Sequence, residues 1–141
     1  MAERALVAVV GDDPTLANLI VEVLDLGGFD TLVISNLAAA AARIATVRPA
    51  AVLLDVRIEH REDYWRIVEQ IGADSRTAGI PVVICTADEG FLREHASGLA
   101  ARGVPCLSKP FEIDDLIAVV AIAAGRMPAG PDQSRPGAAA T

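Results

Sequence analysis

Cysteine and aromatic residues are scarce in this chain. Two cysteines, Cys85 and Cys106, stand among 141 residues with no CxxC pair, so neither a disulfide framework nor a thiolate zinc site is expected. Both lie in strand-like segments, where the expected state is a buried, reduced thiol acting as a small hydrophobe. His60 and His95 lie apart, without metal-ligand spacing. One Trp and one Tyr leave little to stack on a flavin, and no Ser/Thr/Gly-rich phosphate loop follows the first apolar run. No GxxxxGK followed by Ser or Thr is present, which removes P-loop nucleotide hydrolysis. Positive charge is also short: 12 Lys and Arg against 19 Asp and Glu give a net charge of −7. Without a basic stripe, nucleic acid and anionic membrane are poor partners. No apolar run approaches the roughly 18 residues of a membrane span. The opening MAERALVAVVG has no long h-region or cleavage site. These absences predict a cytoplasmic protein with neither a nucleic-acid nor a membrane partner.

Apolar residues make up 52% of the chain, and they come in short runs. Ala5–Val10, Thr31–Ile34, Ala51–Leu54, Pro81–Cys85 and Pro105–Ser108 read as strands, the first, third, fourth and fifth as buried on both faces. Helical patterns lie between them: Thr15–Leu26 (Leu16, Leu19, Ile20, Val23 and Leu24 on one face, stopped by Gly27 and Gly28), Leu37–Val47 with Ser35 or Asn36 as cap, Asp63–Ile71, Glu89–Arg102 interrupted by Gly98, and Glu112–Ala124. This alternation predicts an α/β fold, a five-stranded parallel sheet doubly wound as (βα)5, with right-handed crossovers. Residues 1–126 are expected to form one domain. Residues 127–141, MPAGPDQSRPGAAAT, are expected to be a disordered tail.

Four strands run into polar residues: the first into Asp12 and Asp13, the third into Asp55, the fourth into Thr86, the fifth into Lys109. In one parallel sheet these emerge together at the carboxyl edge, where open α/β sheets keep their sites. Three carboxylates, a hydroxyl and an ammonium suit a divalent cation and a phosphoryl group. Mg²⁺ needs only one or two carboxylates beside water and phosphate, and an aspartate can become an aspartyl phosphate. Each residue also has a plainer reading: Asp13, before Pro14, as a helix cap; Thr86 as part of a small turn; Lys109 as a solvated surface lysine.

The pieces VVGDD, PAAVLLDV, PVVICTA and LSKPF, in this order, resemble the receiver domain of two-component response regulators over about residues 4 to 125. The resemblance implies a flavodoxin-like receiver fold and Asp55 as phosphoacceptor. It implies Asp12, Asp13 and Asp55, with the backbone carbonyl of Arg57, as ligands of Mg²⁺ or Mn²⁺. Thr86 becomes the switch hydroxyl and Lys109 the family's lysine, followed by a cis bond to Pro110. It further implies a phosphohistidine donor, on a sensor histidine kinase or a phosphotransfer protein, and a downstream protein of unknown identity. A homodimer through a surface that includes Leu92, Ile117 and Val120 is a further option, although such apolar positions also serve as core.

Three positions depart from the family's pattern. Glu59 and Asp63 replace the usual Pro and Gly after the acceptor, and the charged side chains of that loop are expected to point to water. Cys106 stands where an aromatic usually precedes the lysine. Arg57 and Asp88 flank the pocket mouth and are candidates for a bridge across it. Two functional readings follow: a stand-alone receiver taking a phosphoryl group on Asp55, and a degenerate receiver acting as a phosphorylation-independent interaction module. A haloacid-dehalogenase-like phosphatase would want a second Asp where Arg57 stands.

Overall fold

The structure is a computed structural model describing residues 4–125; the expected tail at 127–141 lies outside the described residues. Five parallel strands, β1 (Leu6–Val10), β2 (Asp30–Ile34), β3 (Ala51–Val56), β4 (Val82–Thr86) and β5 (Cys106–Ser108), form one sheet in the order β2-β1-β3-β4-β5. The helices are α1 (Pro14–Leu26), α2 (Ala40–Val47), α3 (Arg61–Ala73), α4 (Glu89–Glu94), α5 (Ala96–Arg102) and α6 (Ile113–Ala123). Because side chains alternate along a strand, the sheet feeds two cores. Ala8, Val10, Val52, Leu54, Val82 and Ile84 face α2, α3, α4 and α5. Val7, Val9, Leu53, Val83 and Cys85 face α1 and α6. Strands β3 and β4 have no exposed position, as expected of a parallel sheet covered on both sides.

Two strands run further than their apolar letters. β3 continues through Asp55 to Val56, and β4 takes in Thr86. Asp55 therefore pairs with Cys85 and Val56 with Thr86 in the ladder, so the acceptor candidate is held by strand geometry and not by a loop. The segment after β3 forms a 3₁₀ turn at Ile58–His60 that leads directly into α3 at Arg61, earlier than Asp63. Glu59 and Glu62 face solvent, while Asp63 is half-buried between His60 and Arg66. Asn36 does cap its segment, accepting from the Ala39 amide, but that first turn is 3₁₀ and α2 follows it.

The helical pattern at 89–102 breaks at His95 and not at Gly98, giving six helices where five patterns were read. His95 stacks on Trp65 with ring centroids 4.0 Å apart. Gly98 sits inside α5, where an added Cβ would stand 3.0 Å from the Trp65 ring; its role is to admit that ring. Leu19, placed on the apolar face of its helix by periodicity, is exposed, as are Ile113 and Ile122 on α6. Val120 is buried, and Leu92 and Ile117 are partly buried, packing against the two cores. Cys85 is buried and Cys106 exposed, both free thiols; the expectation for Cys106 is corrected, because β5 is a three-residue edge strand on which only Leu107 faces a core.

Candidate functional site

With β1, β3, β4 and β5 adjacent, their carboxyl ends bring Asp12, Asp13, Asp55, Thr86 and Lys109 to one edge. A shallow cleft of about 330 Å³ lies there, lined among others by Leu16, Arg57, Thr86, Asp88 and Lys109. Asp55 is the buried member, its side chain 2% exposed. Its Oδ1 accepts from Lys109 Nζ at 2.5 Å and lies 3.8 Å from Cys85 Sγ. Among the described residues its buried Oδ2 has no hydrogen-bond partner, and an orphaned carboxylate oxygen costs roughly 1–3 kcal/mol. Oδ2 lies beside Gly11, the residue before the acidic pair, where an added Cβ would stand 3.6 Å from it. The Lys109–Pro110 bond is cis.

Asp13 does two jobs. Its Oδ1 caps α1, accepting from the amides of Thr15 (3.1 Å) and Leu16 (3.4 Å). Its Oδ2 accepts from Arg57 Nη1 at 2.7 Å. The Leu16 amide, with help from Arg57, holds its pKa below the usual carboxylate range. Asp12 has three polar neighbours: Tyr64 donates to Oδ1 at 3.2 Å, His60 Nε2 stands 3.2 Å from Oδ2, and Arg57 Nε is 3.9 Å from Oδ1. Burial, followed by the Asp12 charge, raises the Tyr64 phenol pKa, so the phenol stays a donor. Among the described residues, no three His, Cys, Asp or Glu side chains are gathered closely enough to hold a metal ion by themselves. The carbonyl of Arg57 accepts from the His60 amide at 3.0 Å, which leaves it one lone pair.

Thr86 is buried, and its hydroxyl turns away from Asp55: it donates to the Val56 carbonyl at 2.8 Å and accepts from the Asp88 amide at 2.9 Å. The candidate Arg57–Asp88 bridge does not form. Arg57 follows β3 on the side of β1 and pairs with Asp13. Asp88 caps α4 through the Phe91 amide (3.0 Å) and meets Arg61 at 3.2 Å. Reasoning from the sequence missed Tyr64, His60 and Arg61. Tyr64 left a signal: with Ile67, Val68 and Ile71 it forms the i, i+3, i+4, i+7 row that α3 buries. His60 and Arg61 left none, because their reach depends on the 3₁₀ turn.

The sequence profile of the response regulator receiver domain matches residues 7–121. The DNA-binding response regulator MtrA of Mycolicibacterium smegmatis is 34% identical over 119 residues, covering 83% of this chain and 49% of MtrA. The chain thus spans about half the length of the curated relatives it matches. Among solved structures, a sensor protein from Polaromonas sp. JS666 superposes with a TM-score of 0.75 at 27% identity, covering 86% of this chain and 97% of that one. The receiver domain of a sensor histidine kinase from Pseudomonas aeruginosa PAO1, with a magnesium ion coordinated in its active site cleft, gives 0.73 at 21% identity, covering 86% and 98%; at that identity the likeness is one of fold.

Proposed function

The chain belongs to the family of response regulator receiver domains of two-component signalling, and on that premise we propose that Asp55 is its phosphoryl acceptor. One observation carries the proposal: of the three carboxylates at this edge only Asp55 is buried, fixed by an ion pair on one oxygen and, among the described residues, without a hydrogen-bond partner on the other. In the reaction, an Asp55 oxygen attacks the phosphorus of a phosphohistidine. A P–O bond forms as the P–N bond breaks, and the imidazole, protonated on its other nitrogen, departs neutral. Lys109, already at Asp55 Oδ1, is placed to bond a phosphoryl oxygen as a point charge. The Thr86 hydroxyl reaches another oxygen only by giving up the Val56 carbonyl.

The donor set fits a hard divalent cation. Asp12 and Asp13 carry carboxylate oxygens, Asp55 Oδ2 is unsatisfied, and Mg²⁺ keeps several waters, so a closed cage is not required. The ion, Mg²⁺ as in the Pseudomonas receiver or the chemically similar Mn²⁺, would be held by Asp12, Asp13, Asp55 and the Arg57 carbonyl, and when bound it would neutralise charge on the phosphoryl group. The reading extends to a receiver unit of residues 1–126, charged in the cytoplasm by a sensor histidine kinase or a phosphotransfer protein and passing its signal to a protein partner. Among the described residues no helix is long and apolar enough to cross a membrane.

A second reading, an interaction module that works without phosphate, is favoured by two observations. Cys106 is exposed where a switch aromatic would stand, and Arg57 already occupies the acidic pair. Intact-mass measurement after acetyl phosphate treatment, with and without Mg²⁺, separates the two. The expected result is a phosphoryl adduct that needs the divalent cation and is lost in Asp55→Asn. No adduct on the wild type would favour the module; an undiminished adduct on Asp55→Asn would move the chemistry elsewhere.

A further inference from the structure

The Arg57 guanidinium stands on the carboxylate oxygen that a divalent cation would need. Asp13 has two oxygens, and Oδ1 is committed to capping α1 through the Thr15 and Leu16 amides. Only Oδ2 remains, and Arg57 Nη1 holds it at 2.7 Å. The same guanidinium reaches toward Asp12 Oδ1, with Nε at 3.9 Å. Lys109, the other cation of the cleft, is engaged by Asp55. Arg57 is thus the charge that now balances the acidic pair, and Asp13 in turn raises the Arg57 pKa, so the guanidinium stays charged.

We propose that Arg57 is an internal counter-cation of Asp12 and Asp13 that sets the divalent-cation affinity of this site by competing for Asp13 Oδ2. Cation uptake is then an exchange in which the ion takes the oxygen and the guanidinium leaves it. A small ion binds oxygen at about 2.0–2.1 Å in a near-octahedral shell, and a guanidinium hydrogen-bonded to that oxygen fills part of the shell and repels the incoming charge. The way out is open: the Arg57 side chain is 34% exposed, and Glu59 Oε1 already stands 3.5 Å from its Nε on the solvent side. Asp12 keeps its Tyr64 and His60 contacts through the exchange, so the pair does not depend on Arg57 for its position. The inference rests on the reading of Asp12, Asp13 and Asp55 as a cation site. That reading has its own support in the buried, partnerless Asp55 Oδ2 beside Gly11.

Calorimetric titration with magnesium chloride, and electron paramagnetic resonance of free Mn²⁺, test the exchange on the full chain without any phosphoryl donor. Three proteins are compared: wild type, Arg57→Met, which keeps an apolar stem and removes the charge, and Arg57→Lys, which keeps the charge without the fork. Arg57→Met is expected to bind either ion roughly tenfold tighter, equivalent to about 1.4 kcal/mol, with Arg57→Lys in between. Equal or weaker binding by Arg57→Met overturns the exchange while leaving the cation site standing. Should Arg57→Met fail to fold, Arg57→Lys against wild type decides: tighter binding supports the proposal, and equal or weaker binding overturns it. No binding by any of the three folded proteins rejects the cation site itself, and the exchange with it.

Discussion

Asp55 shares its corner of the sheet with Cys85, its partner across the β3–β4 ladder. Burial, with the Asp55 charge added, pushes the Cys85 thiol pKa up to about 12. Thiolate is the form that reacts, so this sulfur is protected twice, by its charge state and by the core around it. Cys106, whose thiol pKa is also raised by partial burial of its sulfur, stands on the exposed face of the edge strand. Alkylation of the native protein with iodoacetamide at mildly alkaline pH, followed by peptide mass mapping, should therefore mark Cys106 and leave Cys85 unmodified until denaturant is added. Modification of both at similar rates in the native state would mean that solvent reaches the wall behind Asp55. The same contrast bears on switching. Cys106 offers the volume of one sulfur where the family's pattern has a ring, and its contact is the Val104 carbonyl at 3.7 Å, so Thr86 has no ring to draw inward.

Among the elements, α4 depends most on a single side chain. It spans six residues, Glu89–Glu94, and buries only Phe91. Helices this short do not hold themselves together. Asp88 supplies the missing support: its Oδ1 accepts from the Phe91 amide, its carboxylate meets Arg61 at the start of α3, and its own amide donates to Thr86 Oγ1. Gly90 leaves the room for this, since a Cβ there would lie 3.0 Å from Arg61 Nη2. A change at Thr86 is thereby felt at the cap of α4 without any aromatic relay. Replacing Asp88 by Ala should destabilise the protein by about 1 kcal/mol and speed amide exchange across Glu89–Glu94 while leaving α1 unchanged. Asp88→Asn keeps the capping oxygen and loses the charge, so its exchange in α4 should stay near that of the wild type. Equal acceleration in both variants would assign the work to the Arg61 ion pair. Trp65, stacked on His95 at the end of α4, gives an independent optical signal of the same fraying.

At the scale of the molecule, the alternation of apolar runs with helical patterns was legible because it follows from layers: the central runs are buried on both faces, and each helix covers one. The edge residues Asp12, Asp13, Asp55, Thr86 and Lys109 were legible for the same reason, since parallel strands end together. What could not be read was which partner each long side chain chooses. Arg57 turned to β1 and not to Asp88, because a 3₁₀ turn directs the chain and the α4 cap had already claimed Asp88. The break at His95 depends on a ring arriving from α3, a contact between helices that no local pattern encodes. The site so assembled weighs on the stability of the whole domain, and it does so asymmetrically. In the Asp55–Lys109 pair the carboxylate is 2% exposed and the ammonium 23%. Removing the lysine strands a buried charge whose second oxygen already lacks a partner, and breaking a buried pair in this way costs about 3–5 kcal/mol. Removing the acid's charge strands a cation that can turn to water, and it also lifts one of three carboxylates from a crowded edge. Urea unfolding of the metal-free protein, a single cooperative transition for a domain of this size, should therefore place Lys109→Met well below wild type. Asp55→Asn should lie within about 1 kcal/mol of wild type, the typical scale of one net hydrogen bond. If Asp55→Asn proved the more damaging of the two, the buried carboxylate would be a stabilising element of the fold and not a group held in place for chemistry.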